Sequence, residues 1–131
     1  MHVLRNVHGS LRRGGLLLDI HPLGADFAVR AGNRGLGFVD TRRFERVLEA
    51  MEEGVRQILA EGLFSEIGGM RRHVAERFDT AAEVLEEADS WEHLRLSAAV
   101  RRRLRETKES PVELIDTITY RLLRATAGVA R

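Results

Sequence analysis

Between Phe44 and Leu59 apolar residues recur at helical spacing: Phe44, Val47, Leu48, Met51, Val55, Ile58 and Leu59. Short runs of extended character flank this stretch on both sides. A long amphipathic helix set among strands restricts the chain to an α+β architecture, because each element has to bury one face against another. Asp40 or Thr41 supplies the cap of the helix. Gly62 closes it, with Leu63 placed for the hydrophobic contact beyond the stop.

Ahead of this helix, Val3, Leu4, Val7 and Leu11 share one helical face, and Arg12-Arg13-Gly14-Gly15 ends it with cations near the negative end of the dipole. The run Leu16-Leu17-Leu18, continuing through Asp19 and Ile20 to His21-Pro22, suits a strand buried on both faces, as in a parallel sheet covered by helices. Phe27 to Ala31 and Leu36 to Val39 form a hairpin around Gly32-Asn33-Arg34-Gly35. Beyond the long helix, Leu63 to Ile67 and Met70 to Phe78 are expected as two strands joined at Gly68-Gly69. Thr80-Ala81-Ala82-Glu83 is a capping box, and Trp91 to Arg105 is a less regular helical region. Ser110-Pro111-Val112-Glu113 opens a last helix carrying Ile115, Ile118, Leu122 and Leu123 on one side and ending near Gly128. No repeat or linker interrupts this order, so residues 1–131 are expected to form a single domain.

Hydrophobic residues make up 44% and charged residues 31% of 131, an ordinary globular balance that excludes a disordered or fibrous chain. No apolar run approaches the ~20 residues needed to span a bilayer. Met1 to Gly15 has no basic-then-apolar secretory pattern, which leads to a cytoplasmic expectation. With no cysteine, disulfides, thiol catalysis and thiolate metal sites are excluded. The net charge of +1 gives no general case for nucleic acid. Lys108 is the sole lysine; all other cations but the histidines are arginine, and the pairs Arg12-Arg13, Arg42-Arg43 and Arg71-Arg72 and the triplet Arg101 to Arg103 are expected as solvated faces among interspersed acids such as Glu45, Glu49, Glu76 and Glu106.

The order helix, Arg12-Arg13-Gly14-Gly15, leucine strand, insertion, long helix and glycine-joined strands resembles the carboxy-terminal part of a class I S-adenosylmethionine-dependent methyltransferase. By that resemblance Leu11 to Leu18 leads into the fifth strand of a seven-stranded sheet, Thr41 to Glu61 is the next crossover, and Leu63 to Phe78 supplies the sixth and seventh strands. Residues 1–78 would be the methyltransferase-like part and 79–131 a helical extension. The family's cofactor site is built on two earlier strands with a glycine-rich loop, and this chain has no such loop after a first strand. Gly32-Asn33-Arg34-Gly35-Leu36-Gly37 is rich in glycine but lies in a hairpin and opens no helix. The resemblance therefore implies no S-adenosylmethionine binding by this chain alone, unless a partner supplies the site.

Asp19 and His21 are the candidate substrate-binding residues. They lie near the carboxyl end of the leucine strand, the end at which open α/β sheets bind ligands, and His21 could accept a proton there. Equally, the two could satisfy backbone groups of the following loop. His2, His8, His73 and His93 lack metal-ligand spacing, and no serine sits in a nucleophile elbow. Glu52-Glu53 and Glu86-Glu87 are adjacent on helices, so their side chains diverge onto solvated faces. Trp91 is expected as a core or interface anchor.

Three functions fit these features. The first is a methyltransferase-like C-terminal domain without catalysis of its own, pairing its exposed leucine strand with a second copy or with a separate cofactor-binding polypeptide. The second is a non-catalytic homo-oligomeric interaction or regulatory module. The third is one half of a split or truncated S-adenosylmethionine-dependent methyltransferase.

Overall fold

A computed structural model of the chain describes residues 2–24 and 26–127. Its elements are α1 (His2–Ser10), β1 (Leu16–Pro22), β2 (Ala28–Ala31), β3 (Arg34–Phe38), α2 (Arg42–Ala60), β4 (Phe64–Phe78), α3 (Ala81–Ala88), α4 (Ala98–Glu106) and β5 (Val112–Ala125). The protein is α+β, with an open five-stranded antiparallel sheet ordered β1-β5-β2-β3 and with β4 also paired to β5. Contacts divide the chain into two compact units, one of residues 1–21, 47–71 and 119–131, the other of 22–46 and 72–118. All four boundaries fall inside β1, α2, β4 and β5, which is why no linker marks them in the sequence.

In the first unit β1 runs antiparallel to the end of β5. Gly14 N–H donates to the Ala125 carbonyl (2.9 Å), and Ala125 N–H to that of Gly15 (2.8 Å). Val55, Ile58, Phe64, Leu123 and Ala125 form its core, with Leu4, Leu11, Leu17, Leu59 and Leu63 packed against it. The close of α2 is a Schellman motif. Gly62 takes a positive φ of 73°, its N–H donates to the Leu59 carbonyl, and Leu63 N–H donates to that of Ile58.

In the second unit Ala31 pairs with Arg34 across the two-residue loop Gly32-Asn33, and β2 pairs along its other edge with the start of β5, Ala28 opposite Ile115 and Ala31 opposite Val112. Only Gly32 of the two loop residues has positive φ, the pattern of a type II′ hairpin. The core is Val29, Ala31, Leu36, Val39, Val84, Ala88, Leu96, Val100, Leu104, Val112 and Leu114, with Trp91 partly buried against it. Thr80 caps α3 by accepting from Glu83 N–H, while the Glu83 carboxylate accepts from Asp79 N–H. Ser97 caps α4.

Four expectations are corrected. β1 is buried on one face only and sits in an antiparallel sheet. Leu17 and His21 point inward, whereas Leu16, Leu18 and Ile20 are each about half exposed (53%, 54% and 51%). Gly68-Gly69 makes no turn, because β4 runs unbroken through it and neither glycine has positive φ. Gly69 serves close approach instead, since a Cβ there would lie 3.1 Å from the Tyr120 carbonyl oxygen. The separate sixth and seventh strands implied by the resemblance are therefore one strand. The last helix is a strand, so 79–131 is no helical extension: after α3 and α4 the chain returns as β5, and Ser110 caps nothing. The supposed end of that helix, Gly128, lies outside the described residues. Finally, the helical region from Trp91 narrows to α4, residues 91–97 being non-helical.

Candidate functional site

Asp19 and His21 are two residues apart on β1, so strand alternation sends both to the same face. There the structure joins them to Glu52 of α2 and Arg121 of β5, all within the first unit. His21 is 3% exposed. Its Nδ1 lies 3.3 Å from Asp19 Oδ1 and 3.1 Å from Oδ2, and its Nε2 lies 2.5 Å from Glu52 Oε1. Of the two Asp19 oxygens only Oδ1 has hydrogen-bond geometry, leaving the buried Oδ2 with the ion pair alone. Arg121 donates to both oxygens of Glu52 and approaches Glu66 at 4.0 Å.

Carboxylates only accept hydrogen bonds, so both His21 contacts are hydrogen bonds together when both ring nitrogens carry protons. The cluster is then a chain of alternating charge: Asp19, His21, Glu52, Arg121. Hydrogen bonding from Arg121 holds the Glu52 carboxyl below the usual carboxylate range; burial pushes the other way, and His21 adds to the lowering. The same contact with Glu52 raises Arg121. His21 is thus engaged on both sides by side chains, not by loop backbone. For it to accept a proton from a bound molecule, the ring has to be neutral with Nε2 bare, and Glu52 has to swing off that nitrogen. Glu52 is one third exposed, which leaves room for that motion.

Glu52 was expected on a solvated face beside Glu53. The helix separates them as expected, Glu53 pairing outward with Arg56 at 2.7 Å, but Glu52 turns toward β1 and β5. The signal present in the sequence was its place between Leu48 and Val55 of the apolar stripe. Arg121 carried no comparable signal, because its position followed from a strand that had been expected as a helix.

Elsewhere, His73 Nδ1 lies 3.2 Å from Thr117 Oγ1, and the His8 ring meets Phe64 edge-on at 5.3 Å between centroids. Among the described residues no group of three His, Asp or Glu side chains is arranged to hold a metal ion, and no helix is long and apolar enough to cross a membrane. Gly32 to Gly37, the glycine-rich segment, forms the turn and second strand of the β2–β3 hairpin. Comparison with protein-family models, with curated proteins and with solved structures finds no match to this chain.

Proposed function

We propose that the chain is a methyltransferase-like C-terminal body without catalysis of its own, completed either by a second copy or by a separate polypeptide that brings the S-adenosylmethionine site. The observation that supports this most directly is the state of β1. It is the end strand of its path through the sheet, and its outward face presents Leu16, Leu18 and Ile20 half exposed. An apolar edge strand left bare is a pairing and aggregation liability, and proteins normally cover it. In this reading Asp19 and His21 meet the substrate from the inward face of the same strand, with Glu52 as the group that moves aside.

A non-catalytic homo-oligomeric module accounts for the same bare strand without any cofactor. The two readings separate on reconstitution, since only the first gives methyl transfer when a cofactor-binding body is added. Calorimetric titration of the purified chain with S-adenosylhomocysteine tests the element they share. No heat of binding is expected at millimolar ligand. Saturable binding at micromolar concentration would mean that the chain holds a cofactor site unaided, and the proposal would fail.

A further inference from the structure

The start of α2 and the segment 91–95 belong to the second unit and are tied by two backbone hydrogen bonds. Asp40 N–H donates to the Arg95 carbonyl at 2.7 Å, and Arg95 N–H to that of Asp40 at 3.0 Å. Around this bridge lies a cavity of about 450 Å³ lined by Asp40, Arg42, Arg43, Arg46 and Arg95. Its one carboxylate is already engaged. Asp40 accepts from Arg42 backbone N–H (3.1 Å), Nε (3.0 Å) and Nη2 (2.7 Å), which holds its carboxyl down to about 2. Among the described residues Arg43 and Arg46 have no carboxylate within ion-pair distance, and Arg95 feels Asp40 only at longer range. Three guanidiniums therefore line one cavity with no acid committed to them. All three are exposed, so water screens their mutual repulsion and leaves their N–H donors open to an anion.

A second recess, about 220 Å³, is lined by Phe44, Trp91, Glu92, His93 and Leu94. The Phe44 and His93 rings stack there, 6.4 Å apart and inclined by 22°. Both recesses draw on the same two segments: Phe44 lies between Arg43 and Arg46 on the first turns of α2, and His93 and Leu94 immediately precede Arg95. A molecule spanning the two meets cations at one end and flat rings at the other. Guanidiniums match phosphate oxygens with paired N–H donors, and aromatic side chains stack on bases of any identity.

We propose that this double recess binds a nucleoside monophosphate, with the phosphate held by Arg43, Arg46 and Arg95 and the base laid against Trp91 and His93. The site is independent of the methyltransferase reading, since it uses neither β1 nor the Asp19–His21 cluster. Trp91 is the sole tryptophan, so its emission reports from inside the apolar recess. The full chain is titrated with adenosine 5′-monophosphate, followed by Trp91 fluorescence and by calorimetry. Parallel titrations use inorganic phosphate, adenosine and a 5′-phosphorylated oligonucleotide. Adenosine monophosphate is expected to saturate the signal and to bind roughly tenfold or more tightly than phosphate or adenosine alone. The pair Arg43→Ala and Arg46→Ala is expected to weaken it by at least a similar factor without moving the thermal midpoint, because both side chains are exposed; Arg43→Gln with Arg46→Gln replaces this pair if the alanines unfold the chain. Absence of saturable binding, or unchanged affinity in the variant, overturns the proposal. So does phosphate binding as tightly as the nucleotide, which would mean a bare anion patch. An oligonucleotide binding roughly tenfold tighter than the mononucleotide would also overturn it, because the ligand would then be a nucleic-acid strand.

Discussion

Glu52 is the residue on which the charged cluster of the first unit turns, because among the described residues it alone touches both His21 and Arg121. Its folded-state pKa is depressed, so the stability it contributes is present above the unfolded carboxylate value of roughly 4.3 and is lost as pH falls through the lower folded value. Glu52→Gln keeps the shape but removes the charge that answers Arg121 and His21. A loss of about 1–2 kcal/mol at neutral pH is expected, kept modest by the carboxylate's partial exposure to water. Denaturant unfolding of the two proteins from pH 7 to pH 3 checks this, since their stabilities should converge toward the acid end. A constant gap across that range would place the effect in packing instead of charge. Asp19 and His21 were legible as candidates because both side chains sit on one face at the end of a leucine-rich strand. Their partners were not legible, because Glu52 and Arg121 come from elements 31 and 69 residues from His21 and Glu52 respectively.

At the scale of elements, local chemistry read correctly at three caps and turns. Gly62 and Leu63 close α2, Thr80 opens α3, and Gly32-Asn33 turns the first hairpin. Gly62 isolates the backbone contribution, since a Cβ there meets nothing within 4 Å while φ stays at 73°. Gly62→Ala should therefore cost about 1 kcal/mol through the left-handed conformation alone, measured by chemical denaturation. An unchanged midpoint would mean that the end of α2 relaxes to another geometry at no cost. Sequence reading failed where partners decide. Residues 110–125 carry a serine, a proline and a glutamate that imitate a helix start, and Ile115, Ile118 and Leu122 imitate a helical stripe. Yet β-branched Thr117, Ile118 and Thr119 beside Tyr120 suit a strand, and pairing with β1, β2 and β4 settles it. Gly68-Gly69 misled for the converse reason: glycine marks close approach as well as turns, and only the neighbouring Tyr120 carbonyl distinguishes the two.

For the molecule as a whole, the fold class could be read from the alternation of helical and extended runs, whereas the division into two units could not, because every boundary lies within a regular element. The outward face of the first unit's sheet carries the functional claim. Leu16, Leu18 and Ile20 of β1 are its exposed apolar side chains. Burying such side chains returns about 25 cal/mol for each Å² removed from water, and a purified chain with no other partner can reach that gain only against a second copy of itself. Sedimentation equilibrium of the chain and of Leu18→Glu, compared over micromolar to hundred-micromolar concentrations, is the most direct measurement. The account expects the mass of two chains for the parent and of one chain for the variant, with both folded by circular dichroism. A parent protein that holds the mass of a single chain throughout, indistinguishable from Leu18→Glu, would contradict the claim that the face of β1 is an interface.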